Sequence, residues 1–181
     1  MGKGVNISVQ SIIGFSKTRE ENDFYPTPPE ATHALFKRET FVGDILEPAC
    51  GNGMMSEVIK QYNSVTSFDL INRGYGAEQD FLQYSQAHTN IITNPPYKIA
   101  SEFVNHAKLL ASKKVAMLLK LVFLESSGRY KMFQDKDFPL KCIYVFCKRL
   151  QFGKGGSPTI ASAWFVWDKG YIGKPYVEWI N

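Results

Sequence analysis

The residues best suited to chemistry are Asn94-Pro95-Pro96-Tyr97. Two consecutive prolines remove two backbone donors and fix two φ angles. The first of them also pushes Asn94 towards an extended backbone. The result is a stiff corner that presents a side-chain amide, carbonyl oxygens and an aromatic ring. The Asn94 amide oxygen and the Pro95 carbonyl can accept both hydrogens of an exocyclic amino group. Tyr97 offers a flat stacking surface. Accepting both N–H bonds draws the nitrogen lone pair out of conjugation, which a poor amine nucleophile needs before it attacks a methyl donor. Taken alone, the tetrapeptide is better read as a Pro-Pro turn with a solvent-facing Asn, because such turns are common. The chemistry requires a cofactor site beside it.

The elements around the corner supply candidates for that site. The apolar run Asn90-Ile91-Ile92-Thr93 predicts a short buried strand, so the corner lies at a strand's C-terminal end, where ligands bind in a doubly wound sheet. Gly43 to Glu47 predicts another strand, running into Pro48-Ala49-Cys50-Gly51-Asn52-Gly53 and then a helical pattern with Met54, Met55, Val58 and Ile59 apolar. Strand, Gly-x-Gly turn and helix form the first unit of a nucleotide-binding α/β fold, and the glycines let the backbone approach a ligand. The third glycine of the dinucleotide fingerprint is absent and Glu47 precedes the turn, which suits a positively charged ligand better than a pyrophosphate. Val65 to Asp69 predicts a second strand ending in an acid. Such an acid commonly binds ribose hydroxyls; a strand-end Asp also caps turns. Asp80 beside Phe81 could hold an adenine by its amino group and its face.

Upstream, Thr27-Pro28-Pro29-Glu30 reads as a capping box with Pro at the first helical position, predicting a helix over 28–39 with Thr27 as its cap. Phe24 and Tyr25 form a hydrophobic staple or pack on a ligand. Downstream, Ile99 to Leu110 predicts an amphipathic helix, and 114–120 a fifth strand. Residues 125–139 interleave Arg129, Lys131 and Lys136 with Tyr130, Phe133 and Phe138. That mixture can track a phosphate backbone and stack on bases, or can form a surface helix with a small apolar face. Cys142 to Cys147 and Ile160 to Trp167 predict a hairpin, joined by a glycine-rich basic loop that carries Lys148, Arg149 and Lys154. Residues 1–22 read as a weakly ordered arm and 23–181 as one catalytic domain without a separate recognition domain.

Composition narrows the class. Hydrophobic content of 44% and charged content of 21% are ordinary for a globular protein. No apolar run approaches the ~18 residues of a membrane span. The three cysteines show no CxxC pairing, which predicts free thiols, a cytoplasmic setting and no metal site. Residues 1–90 carry 7 Lys+Arg and 11 Asp+Glu, whereas 91–181 carry 14 and 6. A basic C-terminal half suits a polyanionic partner.

Three stretches in this order resemble the S-adenosylmethionine-dependent DNA adenine-N6 methyltransferases, especially small phage-type, Dam-like members. They are Asp23-Phe24-Tyr25-Pro26-Thr27-Pro28-Pro29, Glu47 to Gly53, and Asn94 to Tyr97. The resemblance implies an α/β, Rossmann-like methyltransferase fold: a seven-stranded, mostly parallel sheet whose last strand is antiparallel. It implies S-adenosyl-L-methionine as cofactor, with its methionine part near Tyr25, Thr27, Glu47 and Gly51. Pro48 and Gly53 would belong to the same turn, and Asn94 would border the cofactor. Asp69 would hold the ribose, and Asp80 and Phe81 the adenine. Asn94 and Pro95 would accept the target hydrogens, and Tyr97, placed by Pro96, would stack on a base flipped from double-stranded DNA. Arg129, Lys131, Lys148, Arg149 and Lys154 would meet the nucleic acid. The same corner occurs in RNA base methyltransferases and in protein glutamine-amide methyltransferases. A binding protein that keeps the fold without turnover is the remaining alternative.

Overall fold

The computed structural model describes residues 25–153 and 160–181. The arm expected over 1–22 and the predicted contact Lys154 lie outside the described residues.

Eight strands form one sheet in the order β3-β2-β1-β4-β5-β7-β6-β8. They are β1 (Ile45–Glu47), β2 (Val65–Asp69), β3 (Ala77–Glu78), β4 (His88–Thr93), β5 (Ala111–Lys120), β6 (Leu140–Phe146), β7 (Ser162–Asp168) and β8 (Tyr176–Ile180). Strands β1 to β5 pair in parallel. Strand β7 runs antiparallel to both β5 and β6. The α/β fold with a mostly parallel sheet is as expected, with two differences. There is an eighth strand, and the antiparallel strand is the penultimate one, because β8 resumes the parallel direction against β6. The expected short tail is therefore a strand: Tyr176, Val177, Trp179 and Ile180 suit a pleated surface, and β6 leaves an edge open to them.

Side-chain alternation divides the core. Leu46, Ile91, Val115, Met117 and Leu119 point to one face, which helix α3 (Ala100–Leu110) covers with Phe103, Val104 and Ala107. Ile45, Ile92, Ala116 and Leu118 point to the other, beneath α1 (Pro29–Phe36) and α2 (Met54–Ile59). Burial on both faces explains why the central strands read as continuous apolar runs rather than alternating ones. Trp164 of β7 is fully buried and donates its indole N–H to the Ala31 carbonyl at 2.8 Å, fastening α1 to the sheet.

The order reverses between β1 and β4, so a crevice opens at their carboxyl ends. Two glycines of the turn after β1 shape one side of it. Gly51 and Gly53 take φ values of 55° and 83°. A Cβ on Gly53 would lie 2.3 Å from the Tyr75 ring. Short helix α4 (Tyr130–Phe133) lies in the 121–139 connection that leaves β5 at the same edge of the sheet.

Candidate active site

A cavity of about 280 Å³ occupies the crevice. Its walls come from the segment before α1, the turn after β1, the loops after β2 and β3, and the corner after β4. Tyr25, Thr27, Glu47, Pro48, Gly51, Asp69, Asp80, Phe81, Asn94, Pro95, Pro96 and Tyr97 all line it. These positions span 73 residues of chain, from Tyr25 to Tyr97, and parallel pairing of β1, β2 and β4 is what gathers them. Gly53, expected to meet the cofactor, is not on the lining. Its missing side chain makes room for Tyr75, whose hydroxyl donates to Glu57 at 2.8 Å. Leu70, Ile71 and Arg73 join the lining from the loop after β2, and Phe103 from α3; none was singled out from the sequence. Their only signal was proximity to Asp69 and the apolar stripe of α3.

At the corner, the Asn94 amide is oriented by its surroundings. Its Nδ2 donates to the Thr27 hydroxyl oxygen at 3.1 Å and to the Tyr25 carbonyl at 3.3 Å. A carbonyl only accepts, so the NH2 end must face Tyr25. The Asn94 carbonyl oxygen is buried and has no hydrogen-bond partner. Thr27 is not the helix cap that the sequence suggested: Pro28 stands at that position without a side-chain cap bond. Asn94 takes the hydroxyl oxygen instead.

Tyr97 stacks on Tyr25 with ring centroids 5.9 Å apart and planes inclined by 26°. The Lys120 ammonium, at the end of β5, sits 4.2 Å from the Tyr97 centroid. Phe152, from the basic loop after β6, meets the other aromatic at this mouth, Tyr25, edge-on at 6.4 Å. The loop that carries Lys148 and Arg149 thus reaches the cavity rim.

The acids divide into two kinds. Glu47 is 1% exposed, and burial raises its pKa from 4.5 to about 8; the nearby Asp69 charge adds to this, while hydrogen bonding from Ser56 opposes it. Asp69 is committed to backbone, accepting from Gly51 N–H at 2.8 Å and Ile71 N–H at 3.0 Å. Asp80 accepts from Leu82 N–H at 2.9 Å, opening a 3-10 turn. Phe81 is 2% exposed and packs on Phe103 at 4.8 Å, so its bulk belongs to the core. Burial pushes the Cys50 thiol up to about 12, with the Glu47 and Asp69 charges adding to the effect, which disfavours the thiolate.

Of the expected nucleic-acid contacts, Lys131, Lys148 and Arg149 are exposed. Arg129 is turned inwards: it donates to the carbonyls of Phe123 at 2.7 Å and Glu125 at 3.0 Å, and lies over the Phe123 ring at 4.4 Å. Tyr130 and Val122, 65% and 61% exposed, stand beside it. Among the described residues, no group of three or more His, Cys, Asp or Glu could hold a metal ion, and no helix is long and apolar enough to cross a membrane.

Comparison with solved structures decides the fold family. A Pyrococcus horikoshii protein assigned as an RNA methyltransferase superposes with a TM-score of 0.67 at 13% identity, over 88% of this chain and 93% of that one. The chain has the fold of the S-adenosylmethionine-dependent methyltransferases. A type I restriction-modification methyltransferase subunit from Streptococcus thermophilus superposes at 0.66 with 13% identity, over 86% of this chain but only 47% of that one. Magnesium protoporphyrin IX methyltransferase from Synechocystis, with S-adenosylmethionine bound, superposes at 0.57 with 14% identity, over 78% and 77%. No protein-family profile and no curated protein matches the sequence. Within this methyltransferase fold the cavity lies at the switch point of the sheet.

Proposed function

We propose that the protein transfers a methyl group from S-adenosyl-L-methionine to the N6 amino group of adenine in double-stranded DNA. The observation that carries this reading is the Asn94 amide. Its donor end is satisfied and its acceptor end is buried and unpaired. A buried acceptor without a donor costs about 1–3 kcal/mol, so the site has a place for one hydrogen-bond donor. An amino group supplies it.

The cavity residues suit the cofactor. Glu47, Asp69 and Asp80 line the cavity together with Arg73 and Lys98, which suits a ligand carrying both a cationic and an anionic group, and the turn after β1 brings backbone close to it. Glu47 and Tyr25 would face its methionine part, Asp69 its ribose, and Asp80 its base, while the Thr27 oxygen is taken by Asn94. When bound, it supplies an electrophilic methyl on a sulfonium that needs no activation. The residues of the chain then act by positioning. Asn94 and Pro95 accept the two amino hydrogens, freeing the nitrogen lone pair to form the new N–C bond as the S–C bond breaks. In this arrangement both acceptors would stand beside the nitrogen where positive charge develops. One N–H proton then leaves to water. Stacking of the extruded base on Tyr97, in place of one of its present neighbours Tyr25 and Lys120, would be worth about 1–3 kcal/mol against the cost of extrusion. Lys131, Lys148 and Arg149, at the same edge of the sheet, suit a phosphate backbone.

The test is transfer of labelled methyl to unmethylated duplex DNA, with single-stranded DNA, RNA and a glutamine peptide alongside, followed by nucleoside analysis. Label in N6-methyladenine from the duplex is expected. Label only in RNA or peptide overturns the substrate assignment. Asn94→Ala should abolish transfer and leave cofactor affinity nearly unchanged; equal loss of both refutes its role.

A further inference from the structure

We infer that Thr27 is a positioning residue for the target amine, acting through Asn94. The inference rests on the amine-methylation reading above. The residue and its partner are 67 positions apart and meet at 3.1 Å.

An asparagine amide has two faces of opposite character, and rotation by half a turn exchanges them. Presenting the wrong one would set an NH2 against an amino group and block acceptance. Two acceptors prevent this. The Tyr25 carbonyl and the Thr27 oxygen both accept from Nδ2. With two acceptors on the nitrogen end, the carbonyl oxygen is held facing away from them.

The Thr27 oxygen is itself held firmly. Pro26 and Pro28 flank it, and each fixes its own φ. Thr27 is 6% exposed, so water cannot easily replace it as the acceptor. Its hydroxyl can still donate its own proton elsewhere while its oxygen accepts. Placing this hydroxyl on the segment before α1, rather than on β4, ties the orientation of Asn94 to the wall that also lines the cavity.

Thr27→Val keeps the shape and deletes the acceptor, whereas Thr27→Ser keeps the acceptor. In Thr27→Val one Nδ2 hydrogen loses its partner and the amide swings about its terminal torsion. The expected result is a fall in kcat of about 10–100-fold, with cofactor affinity by calorimetry within a few-fold of wild type. Thr27→Ser should restore kcat. Unchanged kcat in Thr27→Val, or parallel loss of kcat and cofactor affinity, overturns the inference; the latter makes Thr27 a cofactor contact only. Wild-type protein that methylates no amine overturns the reading beneath it instead. A further measurement needs no variant to fold. In wild-type protein the Asn94 side-chain NH2, assigned by triple-resonance NMR, should give two separated and slowly exchanging cross-peaks. Fast exchange with solvent refutes the locked amide.

Discussion

The Asp69 carboxylate, at the end of β2, accepts the backbone N–H of Gly51, in the turn after β1, at 2.8 Å. Its second oxygen accepts from Ile71 at 3.0 Å. One side chain thus pins both walls of the cavity to each other. Asp69→Ala frees two N–H groups, at about 1–3 kcal/mol for each that stays buried and unpaired. The expected outcome is a melting temperature lower by several degrees and at least ten-fold weaker cofactor binding, about 1.4 kcal/mol. Asp69→Asn keeps one acceptor and should lose less. Wild-type cofactor affinity in Asp69→Ala would remove this residue from the site.

Glu47 makes the empty cavity sensitive to pH. Its folded pKa is about 8 against an ordinary 4.5, because burial disfavours the carboxylate and Asp69 repels it. The unfolded chain releases this proton near 4.5 and the folded chain holds it to about 8. Its contribution to stability is full below the lower value and is lost as pH rises to the upper one. Glu47→Gln should flatten that alkaline arm in a pH series of melting curves. A cationic ligand beside Glu47 lowers its pKa, so cofactor binding at pH 7 should release protons. Calorimetry in buffers of different ionisation enthalpy reads this directly, and Glu47→Gln should abolish it.

Glu39 provides the acid arm. It is 3% exposed, just beyond α1, and accepts from Lys114 at 2.6 Å, Lys141 at 2.8 Å and Tyr144 at 2.7 Å. Burial raises its pKa, but hydrogen bonds from Lys114, Lys141 and Tyr144 outweigh that and hold it below 4.5. Its contribution is present above the ordinary value and is lost as pH falls through the lowered one. Glu39→Ala removes the shared carboxylate of two poorly exposed ammonium groups, leaving Lys114 with Asp168 at 3.6 Å and the Thr40 carbonyl, and should cost about 3–5 kcal/mol in denaturant unfolding. A loss under 1 kcal/mol would show that water replaces the carboxylate.

The Gly53 prediction concerns shape. Gly53→Ala meets both a positive φ of 83° and the Tyr75 ring. The backbone share alone is about 1–2 kcal/mol. Adding Tyr75→Ala should relieve the steric share and leave the backbone share. If the double variant is no more stable than the sum of its parts, the two residues are not coupled.

Particular residues show how far the sequence reached. Asp69 at the end of β2 and Asn94 after β4 were placed by local pattern, since an apolar run that stops at a polar residue marks a strand end. The acids, the glycine turn and the proline corner carry chemistry in their own side chains and spacing. Their grouping followed from parallel α/β order. The role of Thr27 did not, because a threonine before two prolines satisfies a helix-cap pattern equally well, and only its distance to Asn94 separates the two uses. Gly53 was legible as a turn but not as the seat of Tyr75, which arrives from twenty-two residues further on. Arg129 looked like a free cation until its carbonyl partners were seen. Strand β8 and the Glu39 cluster depend on the open edge and inner face of β6. Local sequence determined the elements and their chemical endowment, because propensity, periodicity and turn chemistry act over a few residues. Tertiary structure alone decided which acceptor meets which donor, because each hydroxyl, amide and carboxylate has several admissible partners and burial selects one.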